Sequence, residues 1–346
     1  MTMSRLPRVL LFLAGFSAGF CASLRAGNVA LGVVALNEPV PLELPFTNTG
    51  EKPVQLGVIT TSCDCLQTTE GPGSIVAPGA VIHLPFTYRG TKPGRVSITV
   101  LISGVEKNQM IENATVSGFV ADPSWMISPA ELLARKDVPV FVIDTRRAER
   151  YQQAHLGRSI NLPLFAVKTR SDLRDKAVVL VDEGFAPDVL LDEVNRLRVM
   201  GFTEVRVLLG GVIGWMRAGG AVEGAPSISA VEVAQVSPAE VERARRTTPW
   251  ESIEAAHPED VLRAVAPADS RPLLVIASEP TVSAQIEARV GPSTKRPVYY
   301  LAGGKKAWAD YQIEQTALAA HTGQILQTKP SLARPMASGG CGACPK

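Results

Sequence analysis

A glycine pair with a nearby tryptophan occurs twice in the chain, as Gly210-Gly211 with Trp215 and as Gly303-Gly304 with Trp308, each time after an apolar strand-like stretch. The stretch Leu273 to Ile276 likewise resembles Val178 to Val181 upstream. Such self-similarity implies two copies of one supersecondary plan, the second truncated. In the first copy, residues 124–224, apolar strands at Val138 to Ile143, Ala177 to Val181 and Glu204 to Leu208 alternate with helix-like stretches at Arg146 to Ala154 and Pro187 to Met200. That alternation predicts a mainly parallel sheet covered by helices. Ser128-Pro129-Ala130-Glu131 opens the segment as a helix start, with a capping serine, proline in the first turn and glutamate at the third position. The second copy is placed at residues 230–321.

Residues 27–121 follow a different rule. Short apolar runs at Leu42 to Thr47, Val54 to Ile59, Val81 to Tyr88 and Val96 to Ile102 are separated by turn residues at Asn48 to Gly50, Gly71 to Gly73, Pro78-Gly79 and Lys92 to Gly94. Strands at this spacing predict a β-sandwich of immunoglobulin-like type. The expected architecture is therefore multidomain: an all-β sandwich, an α/β domain, and a second, degenerate α/β segment.

The ends and the charge set the setting. Arg5 and Arg8 precede an apolar run from Val9 to Phe20 and small residues at Ala22, Ser23 and Ala26, a secretory leader pattern assigned to residues 1–26. The run is shorter than the roughly 20 apolar residues a spanning helix needs, so no mature transmembrane segment is expected. Phe20 stands before Cys21 where a lipoprotein signal needs a small residue. A periplasmic or secreted location follows, and with it an envelope or periplasmic protein as partner. Lysine plus arginine exceed aspartate plus glutamate by only 35 to 33, too small a surplus to favour nucleic acid. Residues 322–346 are rich in proline, serine and glycine toward their end and are expected to form a flexible tail.

Two resemblances sharpen these expectations. Phe46 and Asn48 before Gly50, the run Thr61-Ser62-Cys63-Asp64-Cys65, the Pro78-Gly79 turn and Gly94 resemble a bacterial domain family of unknown function, immunoglobulin-like in fold, whose members carry a Ser-Cys-Gly-Cys-Thr loop. Here Asp64 replaces the glycine and Leu66 the threonine. Downstream, Val142-Ile143-Asp144-Thr145-Arg146, His155-Leu156-Gly157 leading to Asn161-Leu162-Pro163, and Gly201-Phe202 before Leu209-Gly210-Gly211 and Trp215 resemble the rhodanese family. The resemblance implies that Asp144 and Arg146 pair under the neighbouring loop, and that His155 anchors its turn. It also implies a cysteine at the carboxyl end of the strand Val178 to Val181, in a nest of backbone amides that lowers its pKa and cradles a persulfide. This chain has Asp182-Glu183-Gly184-Phe185-Ala186-Pro187 there, and a carboxylate stores no sulfane sulfur. In the second copy the corresponding strand end is Ala277-Ser278-Glu279-Pro280, again without cysteine.

Thiol chemistry is confined to two pairs once Cys21 is removed, Cys63 with Cys65 and Cys341 with Cys344. Each pair suits either a disulfide or two ligands to a soft metal, copper(I) or zinc. The expected function is a non-catalytic, exported rhodanese-like binding or scaffold protein that handles thiols or metal through these pairs. The rival is a sulfur-transfer or thiol-redox protein in which Cys341 and Cys344 replace the missing cysteine, and a third option is a hydrolase built on Asp182.

Overall fold

The computed structural model describes residues 22–327 except 70–72, 106–108, 112, 136–138, 247, 266–270, 292–293 and 295. Most of the leader assigned to residues 1–26, Cys21, and the tail cysteines Cys341 and Cys344 lie outside the described residues.

The first domain is two five-stranded sheets face to face over one core. One sheet runs Leu66–Gln67, Val81–Arg89, Pro39–Asn48, Ala22–Ala26, Gln109–Ile111; the other runs Val29–Ala35, Ala114–Ala121, Gly94–Gly104, Val54–Thr61, Ile75–Val76. Period-two alternation explains the packing: along Val81–Arg89, Leu84, Phe86 and Tyr88 are buried while His83, Pro85 and Thr87 face out. This strand pairs antiparallel with Pro39–Asn48 from Pro39 opposite Arg89 to Thr47 opposite Val81. Asn48 is fully buried. Its Nδ2 donates to the carbonyls of Val76 (2.8 Å) and Lys52 (2.9 Å), and its Oδ1 accepts from the Gly50 amide, so one side chain pins the turn. Residues 22–26 belong to this sheet rather than to a segment outside the domain. They pair with Phe46–Asn48 and with Gln109–Ile111, and Leu24 is fully buried.

The middle domain has a five-stranded, all-parallel sheet in the order Met126–Ile127, Glu204–Leu208, Ala177–Val181, Val140–Asp144, Ile160–Asn161. Ser128 caps the helix Pro129–Ala134, accepting from the Glu131 amide while the Glu131 carboxylate accepts from the Ser128 amide. The helix anticipated at Arg146 to Ala154 is shorter, Ala148–Gln153, because the chain turns at Ala154 into a strand that pairs with Val222–Gly224. The central strand Ala177–Val181 is covered on both faces, as a parallel-sheet strand must be. Val178 and Leu180 enter one core with Phe202 and Leu190; Val179 and Val181 enter another with Val212 and Ile213.

The third segment carries a four-stranded parallel sheet in the order Gln235–Val236, Val298–Leu301, Leu273–Ala277, Glu251–Ala255. Its core is continuous with one side of the middle domain: Leu274, Val275, Tyr299 and Tyr300 share a cluster with Val179, Val181 and Leu208. The last helix spans Gly304–Gln327, so residues 322–327 are helical rather than part of a tail. The alanine-rich run before them favours helix, and the first later proline is Pro330. Among the described residues no helix is long and apolar enough to cross a membrane.

Candidate functional site

Asp182 stands at the carboxyl end of the central strand Ala177–Val181, where the loop Asp182-Glu183-Gly184-Phe185-Ala186 leads into the helix Pro187–Val199. Gly184 turns this loop with φ +79° and Gly210-Gly211 turn the neighbouring one with φ +72° and +57°. The two turns are in backbone contact. A Cβ on Gly184 would collide with the Gly210 carbonyl, and one on Gly211 with the Asp182 carbonyl, so only glycine permits this approach. The Val212 amide donates to the Asp182 carbonyl at 3.2 Å, closing the seam.

Within the loop the Gly184 amide donates to Asp182 Oδ1 at 2.8 Å. The carboxylate thus takes an amide of the nest that the rhodanese resemblance reserves for a sulfur-bound anion. Desolvation pushes the half-buried Asp182 carboxyl up to about 7; the Gly184 amide opposes the rise, the Glu183 charge adds to it, and Arg146 opposes it more weakly. Glu183 is not a free like charge beside it, since Arg150 Nε lies 3.0 Å from Glu183 Oε1 and Arg146 Nη1 3.4 Å from Oε2.

Beneath the loop, Asp144 is fully buried and holds Arg146, with Nη2 at 2.8 Å and Nε at 3.0 Å from its oxygens. Arg146 also donates to the Ala154 carbonyl, and Asn161 Nδ2 donates to the carbonyls of Asp144 (3.1 Å) and Arg146 (2.8 Å). The guanidinium therefore ties two loops and the helix end together. His155 stacks on Tyr151 with centroids 3.9 Å apart, its Nδ1 2.8 Å from the Tyr151 carbonyl and its Nε2 3.7 Å from Glu223. Gly157 lies against Glu223, and Trp215 Nε1 donates to the Ala221 carbonyl at 2.8 Å. Gly303-Gly304 repeat the left-handed geometry of Gly210-Gly211, with φ +71° and +58°. Trp308 stacks under Arg245, 5.3 Å from its centroid, and takes no part in the Asp182 loop.

Phe185 of this loop packs against residues that motif reading did not single out. Phe185 lies edge-on to Tyr299 with centroids 6.1 Å apart, and Trp250 sits 6.4 Å from Phe185 and 5.3 Å from Tyr299. Both partners come from the third segment. The Tyr299 hydroxyl and the Trp250 indole nitrogen are buried with no hydrogen-bond partner among the described residues. Beside this cluster, Arg217 forks onto Glu287 at 3.0 and 2.7 Å, and the Tyr300 hydroxyl donates to the same carboxylate at 2.8 Å. No local pattern marks these residues, because each partner lies more than ten residues away in sequence.

Cys63 and Cys65 are far from this site, in the first domain, and form a disulfide with each other. Among the described residues no group of three or more histidine, cysteine, aspartate or glutamate side chains is placed to hold a metal ion.

Comparison with known proteins gives two family matches. The family described as Protein of unknown function (DUF1573) matches residues 23–120, and the Rhodanese-like domain family matches residues 128–218. No curated protein matches. Similar solved structures include the BH2092 protein from Bacillus halodurans, at 25% identity over 29% of this chain and 77% of that one, with a TM-score of 0.26. A thiosulfate sulfurtransferase from Pseudomonas aeruginosa is 20% identical over 54% of this chain and 42% of its own, TM-score 0.26. The ASH / PapD-like domain of human CEP192 is 11% identical over 35% of this chain and 97% of its own, TM-score 0.24. The chain thus carries a DUF1573 domain over residues 23–120, followed by a rhodanese-like domain over residues 128–218.

Proposed function

We propose that the rhodanese-like domain does not transfer sulfane sulfur and serves an exported protein as a non-catalytic binding or scaffold module. The observation that carries this reading is Asp182 itself: a carboxylate at the strand end where the family resemblance implies a cysteine, holding the Gly184 amide at 2.8 Å. The packing of Phe185, in the same loop, against Tyr299 supports it, since the loop is tied to the third segment as well as to its own helix. In this reading the two-sheet first domain is immunoglobulin-like, and residues 230–321 are a second, degenerate rhodanese-like copy. The copy is supported by the strand order of its sheet, which repeats four strands of the middle sheet, and by the matching glycine turns. Its Ser237 capping box also repeats that of Ser128. The partner is an envelope or periplasmic protein.

Sulfur transfer from thiosulfate to cyanide by the full-length protein tests the reading. No turnover above buffer is expected. Turnover lost on changing Cys341 or Cys344 to serine would establish the rival in which tail cysteines replace the missing thiol, and turnover that survives those changes would overturn the proposal at Asp182.

A further inference from the structure

We propose that the Cys63–Cys65 disulfide is a thiol–disulfide exchange site that accepts two electrons from a pair of thiols on an extended polypeptide. This inference does not depend on the role assigned to Asp182. The bond joins residues two apart, so it closes a very short loop. A crosslink restrains the unfolded chain less as the loop it closes shortens, which makes this bond a weak staple for the fold. Its position is that of a reactive group. It lies where the chain crosses from one sheet to the other, between Val54–Thr61 and Leu66–Gln67, with both cysteines half-buried and Ser62 and Asp64 exposed beside them.

The backbone around the pair is fixed independently of the bond. The Ser62 amide donates to the Thr99 carbonyl (3.0 Å) and the Thr99 amide to Ser62 Oγ (3.0 Å), anchoring one side. The Arg89 amide donates to the Cys65 carbonyl at 2.8 Å, anchoring the other. Thr61 Oγ1 donates to the carbonyls of Cys63 (2.7 Å) and Leu66 (3.2 Å), and Gln67 Nε2 to that of Asp64 (3.3 Å). With these restraints in place, reduction leaves the two thiols near each other and ready to re-close, the condition for a reversible exchanger. Asp64 has no left-handed backbone, so the glycine of the family loop is not required here. On the adjoining ladder, where Thr60 lies opposite Leu101, the side chains of Val58 and Leu101 are exposed, an apolar ledge suited to an unfolded segment.

In the exchange, a partner thiolate attacks one sulfur of the pair, the S–S bond breaks, and its electron pair leaves on the other sulfur. The partner's second thiolate then attacks the mixed disulfide and releases the first cysteine. Two partner thiols become one disulfide, Cys63 and Cys65 become thiols, and the two protons lost by the partner are taken up by the pair.

The test uses full-length protein carrying C21S, C341S and C344S, purified without reductant, and a synthetic peptide with two cysteines flanked by apolar residues in reduced form. Mass spectrometry after alkylation should show one peptide oxidised per chain and new thiols at Cys63 and Cys65, with the circular dichroism spectrum unchanged. The same protein with C63S and C65S added should oxidise no peptide above background. Free thiols at Cys63 and Cys65 before the peptide is added, or a bond that yields only in denaturant, would overturn the proposal.

Discussion

Phe185, in the loop that ends the central strand of the rhodanese-like domain, lies edge-on to Tyr299 of the third segment, with ring centroids 6.1 Å apart and planes at 87°. The pair joins this loop to a strand more than a hundred residues later in the chain. The Asp182 turn is therefore part of a domain interface, and its side chains are constrained by packing as well as by the local glycines.

The Tyr299 hydroxyl is buried without a partner among the described residues, so it adds a desolvation cost and no hydrogen bond there. Tyr299→Phe is expected to leave stability unchanged or raise it by up to about 1 kcal/mol in urea unfolding. Tyr299→Ala, which removes the ring that meets Phe185 and Trp250, is expected to cost about 3–5 kcal/mol. A loss of stability in the phenylalanine variant would reveal a partner for the hydroxyl.

Asp182 makes a pH-dependent contribution of defined sign. Its carboxyl titrates near 7 in the folded chain and near 3.8 when unfolded, so the stability it adds is full below about pH 4 and is lost as pH rises through about 7. Asp182→Asn stays neutral and still offers an oxygen to the Gly184 amide. Its gain over the wild type should be on the order of 1–2 kcal/mol near pH 8, allowing for solvent at this half-buried residue, and should fade near pH 5. Thermal melts at the two pH values check this, and an equal gain at both would contradict the shift.

Restoring sulfur at this position is not expected to restore transfer. Asp182→Cys places a thiol at the strand end, but Phe185 and its aromatic cover remain, and the loop carries Glu183 rather than a cation. Cyanide-dependent turnover of thiosulfate by this variant should stay at background. Turnover would show that the loop opens in solution and that the missing sulfur is the sole barrier.

Arg217 and Glu287 form a buried fork between the middle domain and the third segment, with Arg217 also donating to the Val298 carbonyl at 2.9 Å. Arg217→Met leaves the Glu287 charge buried beside Tyr300 and is expected to cost about 3–5 kcal/mol. Adding Glu287→Leu should recover much of that loss, since the uncompensated charge is gone. Additive losses in the double variant would mean that the two residues act separately.

Local chemistry made the broad plan legible. Period-two runs marked the strands of the first domain, the strand–helix alternation marked the parallel sheet, and Ser128 with Glu131 marked a helix start, because each signal is written within a few neighbouring residues. The sequence also displayed Asp182 where the rhodanese resemblance implies a thiol, since a missing sulfur needs no structure to be seen. Tertiary structure decided the rest. Strand pairing of Ala22–Ala26, with Leu24 in the core, drew the first domain's edge earlier than the small residues suggested. Folding brought Trp250 and Tyr299 over Phe185, paired Glu183 with Arg146 and Arg150, and chose a disulfide for Cys63 and Cys65. Except for the cysteine pair, those outcomes depend on side chains far apart in the chain, and burial, partner choice and proton affinity are properties of the packed neighbourhood rather than of any local run of residues.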